Sequence, residues 1–416
     1  MGSVSFWQVE RASHAPPALG GAPLREERTA DVVVIGAGIT GTATALWLAR
    51  EKARVVVLEA REVAASASGR NGGFLLAGTA GTYAAAIERY GHPRAQRIWA
   101  FSSSNHQFAR QLIEEMEWRG WDCGYQQSGS MRIARTEAEL EEIWESVRRL
   151  LEDGWEASQI DVDELPERLR GTYLGGSFHA VDGEAQPAHF VRGLARLAQA
   201  AGATFYEGSP VTTVEEHADQ VVVRTAEGAV RTQRVVLATN ARLPELLGQL
   251  GANWLGEAIT PIRGQMLATA PLDEELFTWP CYADQGYQYW RQLSDGRLVV
   301  GGWRNTSFAT EATADETPAA PVQDALERFV RETLKLSAAR APISQRWAGT
   351  MAFSADALPL VGRIPGTQRC FVAGAYTGHG NAYAIASAQV ITDLVRGQHH
   401  PDADLFDPAR LHPDLV

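Results

Sequence analysis

The sequence predicts an α/β protein, α+β overall, in which a nucleotide-type domain is interwoven with a second domain built on a mixed sheet. Three stretches carry this. "DVVVIGAGITGTATALWLAREKARVVVLEA" opens with an unbroken apolar run, turns through glycines into a helix, and ends in a second apolar run, a βαβ-type start of about thirty residues. "RCFVAGAYTGHGNAYAIASAQVITDLVRG" repeats that style near the C-terminus: strand, glycine-rich turn, small-residue helix. Between them, "QGYQYWRQL" and "GRLVVGGWR" alternate as antiparallel strands of another sheet do.

The elements follow in order. The first thirty residues, with Pro16, Pro17, Gly20, Gly21 and Pro23, read as an irregular arm. Val32–Ile35 form the first buried strand, a helix follows with apolar Ala43, Leu46, Trp47 and Ala49, and Arg54–Leu58 form the second strand. From Tyr83 to Glu164 the pattern turns helical and charged, as in "TEAELEEIWESVRRLLEDG", and the charge runs read as solvated helix faces. A helix and several β-rich segments then lead to "RVVLATNA", Arg234 to Ala241. Residues 1–82, 170–245 and 346–416 are therefore expected to form the nucleotide-type domain, and 83–169 with 246–345 the substrate-binding one.

Composition narrows the function. With 416 residues, 45% apolar and 21% charged, the chain has the make-up of an ordinary globular protein of two to three domains. Fifty acidic against 38 basic residues, a formal charge of −12, argue against nucleic acid and anionic membranes as partners. Cys123, Cys281 and Cys370 have neither disulfide-framework nor metal-site spacing, so no metal is expected and a reducing cytoplasm fits. No export signal and no membrane span are read.

Gly36, Gly38 and Gly41 form G-x-G-x-x-G between strand and helix, which makes the first domain Rossmann-like. The first glycine permits the tight turn, the second lets backbone approach a pyrophosphate, and the third lets helix and strand pack closely. The phosphates would meet the helix N-terminus, whose free N–H groups favour an anion. Glu59, eighteen residues past Gly41, could accept from ribose hydroxyls, and its charge disfavours a 2′-phosphate. A nicotinamide enzyme would usually continue with further βα repeats. Here "SASGRNGG" follows instead, and its backbone with Ser66, Ser68, Arg70 and Asn71 could wrap a longer cofactor towards a flavin ring; a flexible surface loop is the competing reading. In "AGAYTGHGNAYAIA", a helix N-terminus opened by Gly378, His379, Gly380 and Asn381 would stabilise negative charge on the N1–C2=O side of a reduced flavin. His379 is a candidate base, or a structural histidine between two glycines.

Six stretches, "DVVVIGAGITGTATALWLAR", "VVVLEA", "SGRNGG", "RVVLATNA", "WAGTMAFSADALPLVG" and "FVAGAYTGHGN", stand in the order found in the FAD-dependent D-amino-acid oxidase, glycine oxidase and sarcosine oxidase family, which the chain resembles from Asp31 to about Gly397. "SGRNGG" with the early pair Phe6 and Trp7 looks most like the branch containing gamma-glutamylputrescine oxidases. The resemblance implies hydride transfer from the carbon beside an amine nitrogen to flavin N5, followed by hydrolysis of the imine. Its cofactor set, carried onto this sequence, comprises Gly36, Gly38, Ile39, Thr40, Gly41, Glu59, Ala60, Arg61, Ser66, Ser68, Gly69, Arg70, Asn71, Gly72, Gly73, Val211, Ala238, Thr239, Asn240, Gly374, Gly378, His379, Gly380 and Asn381.

The sequence also departs from the family. Glycine and D-amino-acid oxidases carry an arginine near "WAGL-R-P" for the substrate carboxylate, where "WAGTMAF" has Met351; Arg291, Arg304 or Arg346 could substitute from another direction. Gly349–Asp356 lacks the cysteine that binds flavin covalently in sarcosine oxidases, so non-covalent FAD is expected. The place of a lysine found in some oxygen-using members holds Val299 or a neighbour. Tyr282, Tyr287, Tyr289 and Trp290, joined by Trp303 and Trp347, form either an amine cage or a packed sheet face. His379, Tyr289 and Trp347 are thus the candidate catalytic residues; Met351, Tyr287, Trp303 and Arg291 are candidate substrate contacts; Gln265 has no assigned role.

The expected function is oxidation of an amine without an α-carboxylate, with oxygen or another acceptor taking the electrons. A glycine, sarcosine or D-amino-acid oxidase is the alternative, a non-catalytic FAD-binding protein a second, and an NAD-dependent dehydrogenase a third. The oligomeric state is left open.

Overall fold

The computed structural model describes residues 3–10 and 12–415, and its strands form two eight-stranded sheets and a two-stranded one, Phe74–Leu75 with Gly183–Glu184. In the first, Glu27–Ile35 lies between Val55–Leu58 and Ala229–Leu237, parallel to both. Cys370–Gly374 and Thr204–Tyr206 extend it in parallel on either side, and Leu360–Arg363 closes one edge antiparallel. Val55–Leu58 is buried throughout, as are Val32–Ile35, because helices cover the sheet and leave no solvent face to demand alternation. Helix Ile39–Arg50 packs against Pro187–Ala200 and Ala384–Val395. Its Gly41, Thr42, Ala43, Thr44 and Ala45 are all buried, and such small residues let helix axes approach. Because the chain leaves Glu27–Ile35 to opposite sides, a crevice opens at the carboxyl ends of the central strands, where such folds bind ligands.

The second sheet runs in the order Ile343–Ser354, Ile259–Thr269, Leu298–Gly302, Gln288–Gln292, Cys281–Ala283, Ser130–Ala134, Gly175–His179, Ser158–Asp161. The alternating stretches pair antiparallel as expected, with Tyr289 opposite Gly301. Gly175–His179 and Ile343–Ser354 belong to this sheet, although the expected boundaries put residues 170–179 and 346–354 in the nucleotide-type domain. The partner of an edge strand is set by register, here Ile259↔Ser354 through Thr269↔Ile343, and not by its own residues.

The expected helical section contains Tyr83–Tyr90, His92–Trp118 and Glu137–Glu152, together with strands Ser130–Ala134 and Ser158–Asp161. The N-terminal stretch is not merely an irregular arm. Phe6–Val9 is a short helix whose Trp7 is 1% exposed and donates its indole N–H to the Asn71 carbonyl at 2.7 Å. An apolar pair that finds a groove gains more by burial than a loop gains by solvation.

Gln265 acquires a role from an interaction remote in sequence. The Glu311 carboxylate takes two bonds from the Arg263 guanidinium, at 2.9 and 2.8 Å, and a third from Gln265 Nε2 at 2.9 Å. Gln265 Oε1 in turn accepts from the Ala319 N–H at 2.8 Å. Residues 304–319 are thereby clamped onto strand Ile259–Thr269. Glu311→Ala removes the buried carboxylate that Arg263 and Gln265 share, leaving Arg263 with Asp315 and the Thr310 and Thr317 carbonyls, and is expected to cost about 3 kcal/mol in urea denaturation, with Glu311→Gln losing less. Equal midpoints for Glu311→Ala and the unaltered protein would contradict the clamp.

Candidate functional site

The crevice begins at the glycine turn. A Cβ on Gly36, whose φ is +102°, would lie 2.7 Å from the Ala238 carbonyl oxygen, and one on Gly41 would lie 1.9 Å from that of Gly36. Both glycines are therefore demanded by backbone packing. Gly38 differs: a Cβ there meets only Ser68, at 2.9 Å from Oγ, so the turn faces open space. No side chain of the helix caps its own N-terminus, and Ser68 Oγ accepts the Ile39 N–H from outside at 3.0 Å. Glu59 accepts from the Ala37 and Arg61 backbone N–H groups at 2.8 and 2.9 Å, and burial raises its pKa. Opposite the turn, Thr239 Oγ1 is buried with no partner, while Asn240 Oδ1 accepts the Ala375 N–H at 3.1 Å.

The two glycine-rich loops meet. Asn71 donates to the carbonyls of Ala67 and Ser68, and its Oδ1 accepts the Gly73 N–H at 2.7 Å. The same oxygen accepts from Asn381 Nδ2 at 3.3 Å, and Asn381 Nδ2 also donates to the Phe74 carbonyl at 2.9 Å. Two residues not among the sequence candidates hold this junction, Asn105 outside the motifs and Tyr376 within "FVAGAYTGHGN". Asn105, within helix His92–Trp118, donates to the Asn381 carbonyl at 2.8 Å and accepts from the Ile385 and Ala386 N–H groups, capping helix Ala384–Val395. Tyr376 OH lies 3.0 Å from Thr40 Oγ1, joining the C-terminal turn to the first turn of the nucleotide helix. Their sequence signal was only a polar residue in an otherwise packed helix and a tyrosine beside glycines.

Aromatic side chains close the far side. The Tyr289 ring stands 3.5 Å from a Cβ built on Gly72 and packs edge-on to Phe74. Tyr282 packs edge-on to His379, with ring centroids 6.0 Å apart. Met351 Sδ and Phe353 Cζ lie 3.3 and 3.7 Å from a Cβ built on Gly378. Behind Tyr282 is a cavity of about 30 Å³ lined by Ser130, Arg132, His179 and Asp182, with room for about two waters and none for a substrate. Burial pushes the Asp182 carboxyl up to about 7.

Residues 31–394 match the family described as FAD dependent oxidoreductase. The chain belongs to that family. Gamma-glutamylputrescine oxidoreductase of Escherichia coli (strain K12) is 29% identical over 397 residues, spanning 92% of this chain and 87% of that protein. Glycine oxidase of Bacillus subtilis (strain 168) is 26% identical over 382 residues, spanning 89% and 94%. The glycine oxidase structure from Geobacillus kaustophilus superposes with a TM-score of 0.79 at 22% identity, covering 92% of this chain and 98% of that one, which shows the shared fold. The resemblance carried by the six stretches is borne out, and with it FAD as cofactor and oxidoreduction as the class of chemistry. The nicotinamide alternative falls.

The crevice fits FAD on its own terms. A helix start capped by no residue of its own, an opening at Gly38, a half-buried carboxylate with lone pairs to spare, and orphaned buried atoms at Thr239 Oγ1 and His379 Nε2 are what a long dinucleotide could satisfy. Gly72 lines the junction; Ile39 and Thr40 open the nucleotide helix, Ala60 follows strand Val55–Leu58, Gly374 ends strand Cys370–Gly374, and Gly380 opens the short turn Gly380–Ala382. Val211 begins strand Val211–Glu216 in the antiparallel extension of the first sheet. Gly69 and Gly73 are packed against the carbonyls of Ala64 and Ala185, so they shape the loop.

Other candidate residues are committed elsewhere. Arg70 donates to the Ala65, Ser3 and Ala348 carbonyls, so it fastens the loop and has no N–H directed at the cofactor by these bonds. Arg61 and Ser66 are joined to Glu316. Arg291, expected at the substrate, is buried, pairs with Glu184 at 3.3 Å and donates to the Ala185 carbonyl at 2.8 Å. Trp347 is fully buried, with its indole N–H on the Arg70 carbonyl at 2.8 Å; it is a positioning residue. Trp303 packs against Phe329 in the core behind the second sheet. In each case a large or charged side chain was drawn to the nearest group able to satisfy it, which local sequence does not reveal. Burial pushes His379 down to about 3, aided by the nearby Arg132 charge, so its imidazole is neutral near pH 7 and a poor proton acceptor. Cys370 lies in a buried strand with its thiol pushed up to about 12, which gives no thiolate for a covalent flavin link.

The two kinds of glycine make opposite predictions. Gly41→Ala forces backbone apart and should lower stability by about 3 kcal/mol, read as a depressed Tm. Gly38→Val should fold, since only the Ser68 side chain must turn, yet lose flavin, read as the visible-to-ultraviolet absorbance ratio. Full flavin content in Gly38→Val would remove the pyrophosphate from this turn.

Proposed function

We propose that this FAD-dependent oxidoreductase oxidises the C–N bond of an amine that carries no α-carboxylate. The observation that carries the reading is Met351: a thioether, beside the Phe353 ring, stands against the Gly378 turn where an α-amino acid would need a cation for its carboxylate. Tyr282 stands edge-on to His379 beside this turn, and Tyr287 and Phe353 flank the Arg304 guanidinium. Burial pushes Tyr289 up to about 12 and raises Tyr282 as well, so both remain neutral phenols that add no charge beside the amine.

When bound, FAD supplies the acceptor for a hydride leaving the carbon beside nitrogen. The chain's own residues do the rest. Tyr289, backed by Phe74 and Gly72, holds the substrate against the loop junction. The apolar lining lowers the pKa of the bound ammonium, so its proton leaves to solvent on entry and the neutral amine, with a free lone pair, is the species oxidised. Loss of hydride leaves an iminium, which water converts to a carbonyl product and a released amine or ammonia. His379, neutral, offers Nε2 as a hydrogen-bonding group to the cofactor and moves no proton. Val299 is buried in its strand, so no lysine ammonium serves reoxidation at that position; oxygen is the proposed acceptor.

Anaerobic mixing of the yellow holoenzyme with alkylamines, glycine, sarcosine and D-amino acids tests the reading. Bleaching by alkylamines, and recovery of colour in air, is the expected result. Bleaching by amino acids alone would restore the amino-acid oxidase alternative, and a flavin reduced only by dithionite would mark a non-catalytic flavoprotein.

The His379 assignment has its own test. A group that stays neutral at every pH well above about 3 contributes no limb to a kcat/KM profile between pH 6 and 10. His379→Asn should therefore change the height of the profile and leave its inflections in place. Disappearance of an inflection near pH 6–7 would make His379 the base after all.

A further inference from the structure

Two half-buried arginines near the candidate site rest on aromatic faces: Arg132, over the Tyr282 ring and beside the small cavity, and Arg304. Arg304 follows strand Leu298–Gly302 through two left-handed residues, Gly302 with φ +112° and Trp303 with φ +55°. A tryptophan in that region is strained and persists only where its surroundings hold it. Here the Trp303 ring packs 5.0 Å from that of Phe329, and its N–H donates to the Tyr287 carbonyl at 2.6 Å. The turn sends Trp303 into the core and Arg304 towards the candidate site. The Arg304 guanidinium carbon lies 4.4 Å from the centroid of the Tyr287 ring and 5.4 Å from that of Phe353.

Aromatic faces are its only partners among the described residues: it has no ion pair and no side-chain hydrogen bond, and its Nε is buried without an acceptor. The contrast is sharp in a chain with 50 acidic residues, where Arg70, Arg263 and Arg291 are each held by carboxylates or carbonyls. A guanidinium stacked on rings keeps its planar fork of N–H donors directed outwards, the geometry that takes a carboxylate by two parallel bonds. The clamp from Glu311 to Arg263 and Gln265 fixes the segment that carries it. Phe353 is shared: it touches Arg304 on one side and adjoins the Gly378 turn on the other, so the guanidinium lies one ring farther from that turn than Met351 does.

We infer that Arg304 anchors a carboxylate of the substrate that is set apart from the reacting C–N bond, so that the substrate class is an amine bearing a remote carboxylate. This rests on the reading of the site as amine-oxidising, and it deepens that reading: Met351 faces the carbon being oxidised, and Arg304 fixes the distal end. Neither a plain alkylamine nor an α-amino acid uses both features.

The test uses holoenzyme and a series of straight-chain carboxylates from acetate to hexanoate, with the matching neutral amides, titrated by perturbation of the flavin absorbance. The unaltered enzyme should bind at least one carboxylate. Arg304→Met should weaken that carboxylate by about tenfold or more, the loss of a charge-assisted pair, and leave the amide unchanged. Arg304→Lys, which keeps the charge without the fork, should fall between them. If Arg304→Met does not retain flavin, Arg304→Lys and Arg304→Gln give the same comparison. No carboxylate binding by the unaltered enzyme, equal carboxylate affinity in the variants, or equal losses for carboxylate and amide would each overturn the inference. Failure of the underlying reading looks different: Arg304-dependent carboxylate binding would persist while no amine reduces the flavin.

Discussion

The Asn381 side chain bonds to Asn71 and to the Phe74 carbonyl across some three hundred residues, and the rest of the site depends on that junction. It joins a loop at the end of one parallel strand to a turn at the end of another, closing the crevice around the Gly36–Gly41 turn. Asn105 locks it from the helical layer, and Trp7 locks it from the N-terminus. The ties from Asn381 and Trp7 end on carbonyls of a loop whose regular structure is the short 3-10 turn Ala67–Gly69. Loops with few internal bonds hold a geometry only when neighbours satisfy their carbonyls and N–H groups, and here nearly every tie is of that kind.

Charge is distributed by the same logic. Arg70, Arg263 and Arg291 are buried because each meets acceptors enough to offset its desolvation. They build the walls. Arg304, supported by rings, keeps donors to spare and adjoins the Phe353 side of the crevice. His379 shows the converse case: burial without an acidic partner keeps it neutral, so a residue that reads as a base in sequence is electrically silent.

Much of the fold was legible because its signals are local. The apolar run Val32–Ile35, the glycine spacing and the acid at Glu59 each impose a conformation or a contact through nearby atoms. The strands around Tyr289 and Val300 were legible for the same reason, through period-two alternation. The substrate side was less so. Arg291 and Trp303 carry the right chemistry in the right stretch, but sheet register and a left-handed turn send them to Glu184 and to Phe329. Residues 346–354 read as part of the nucleotide-type domain because they carry a family stretch, whereas their backbone hydrogen bonds belong to the second sheet.

By itself the sequence determined the nucleotide-type architecture, the flavin cofactor and the oxidoreductive class. The architecture follows from short-range rules on glycine, strand burial and helix termini, which act over a few residues, and the flavin and the chemistry are what the family resemblance of six stretches implies. Only the tertiary structure decided which polar side chains remain unsatisfied. Whether an arginine is wall or anchor depends on the carboxylates that packing brings within reach, and those come from segments far apart in the chain. Glu184 reaches Arg291 and Glu311 reaches Arg263, while no acid reaches Arg304 among the described residues.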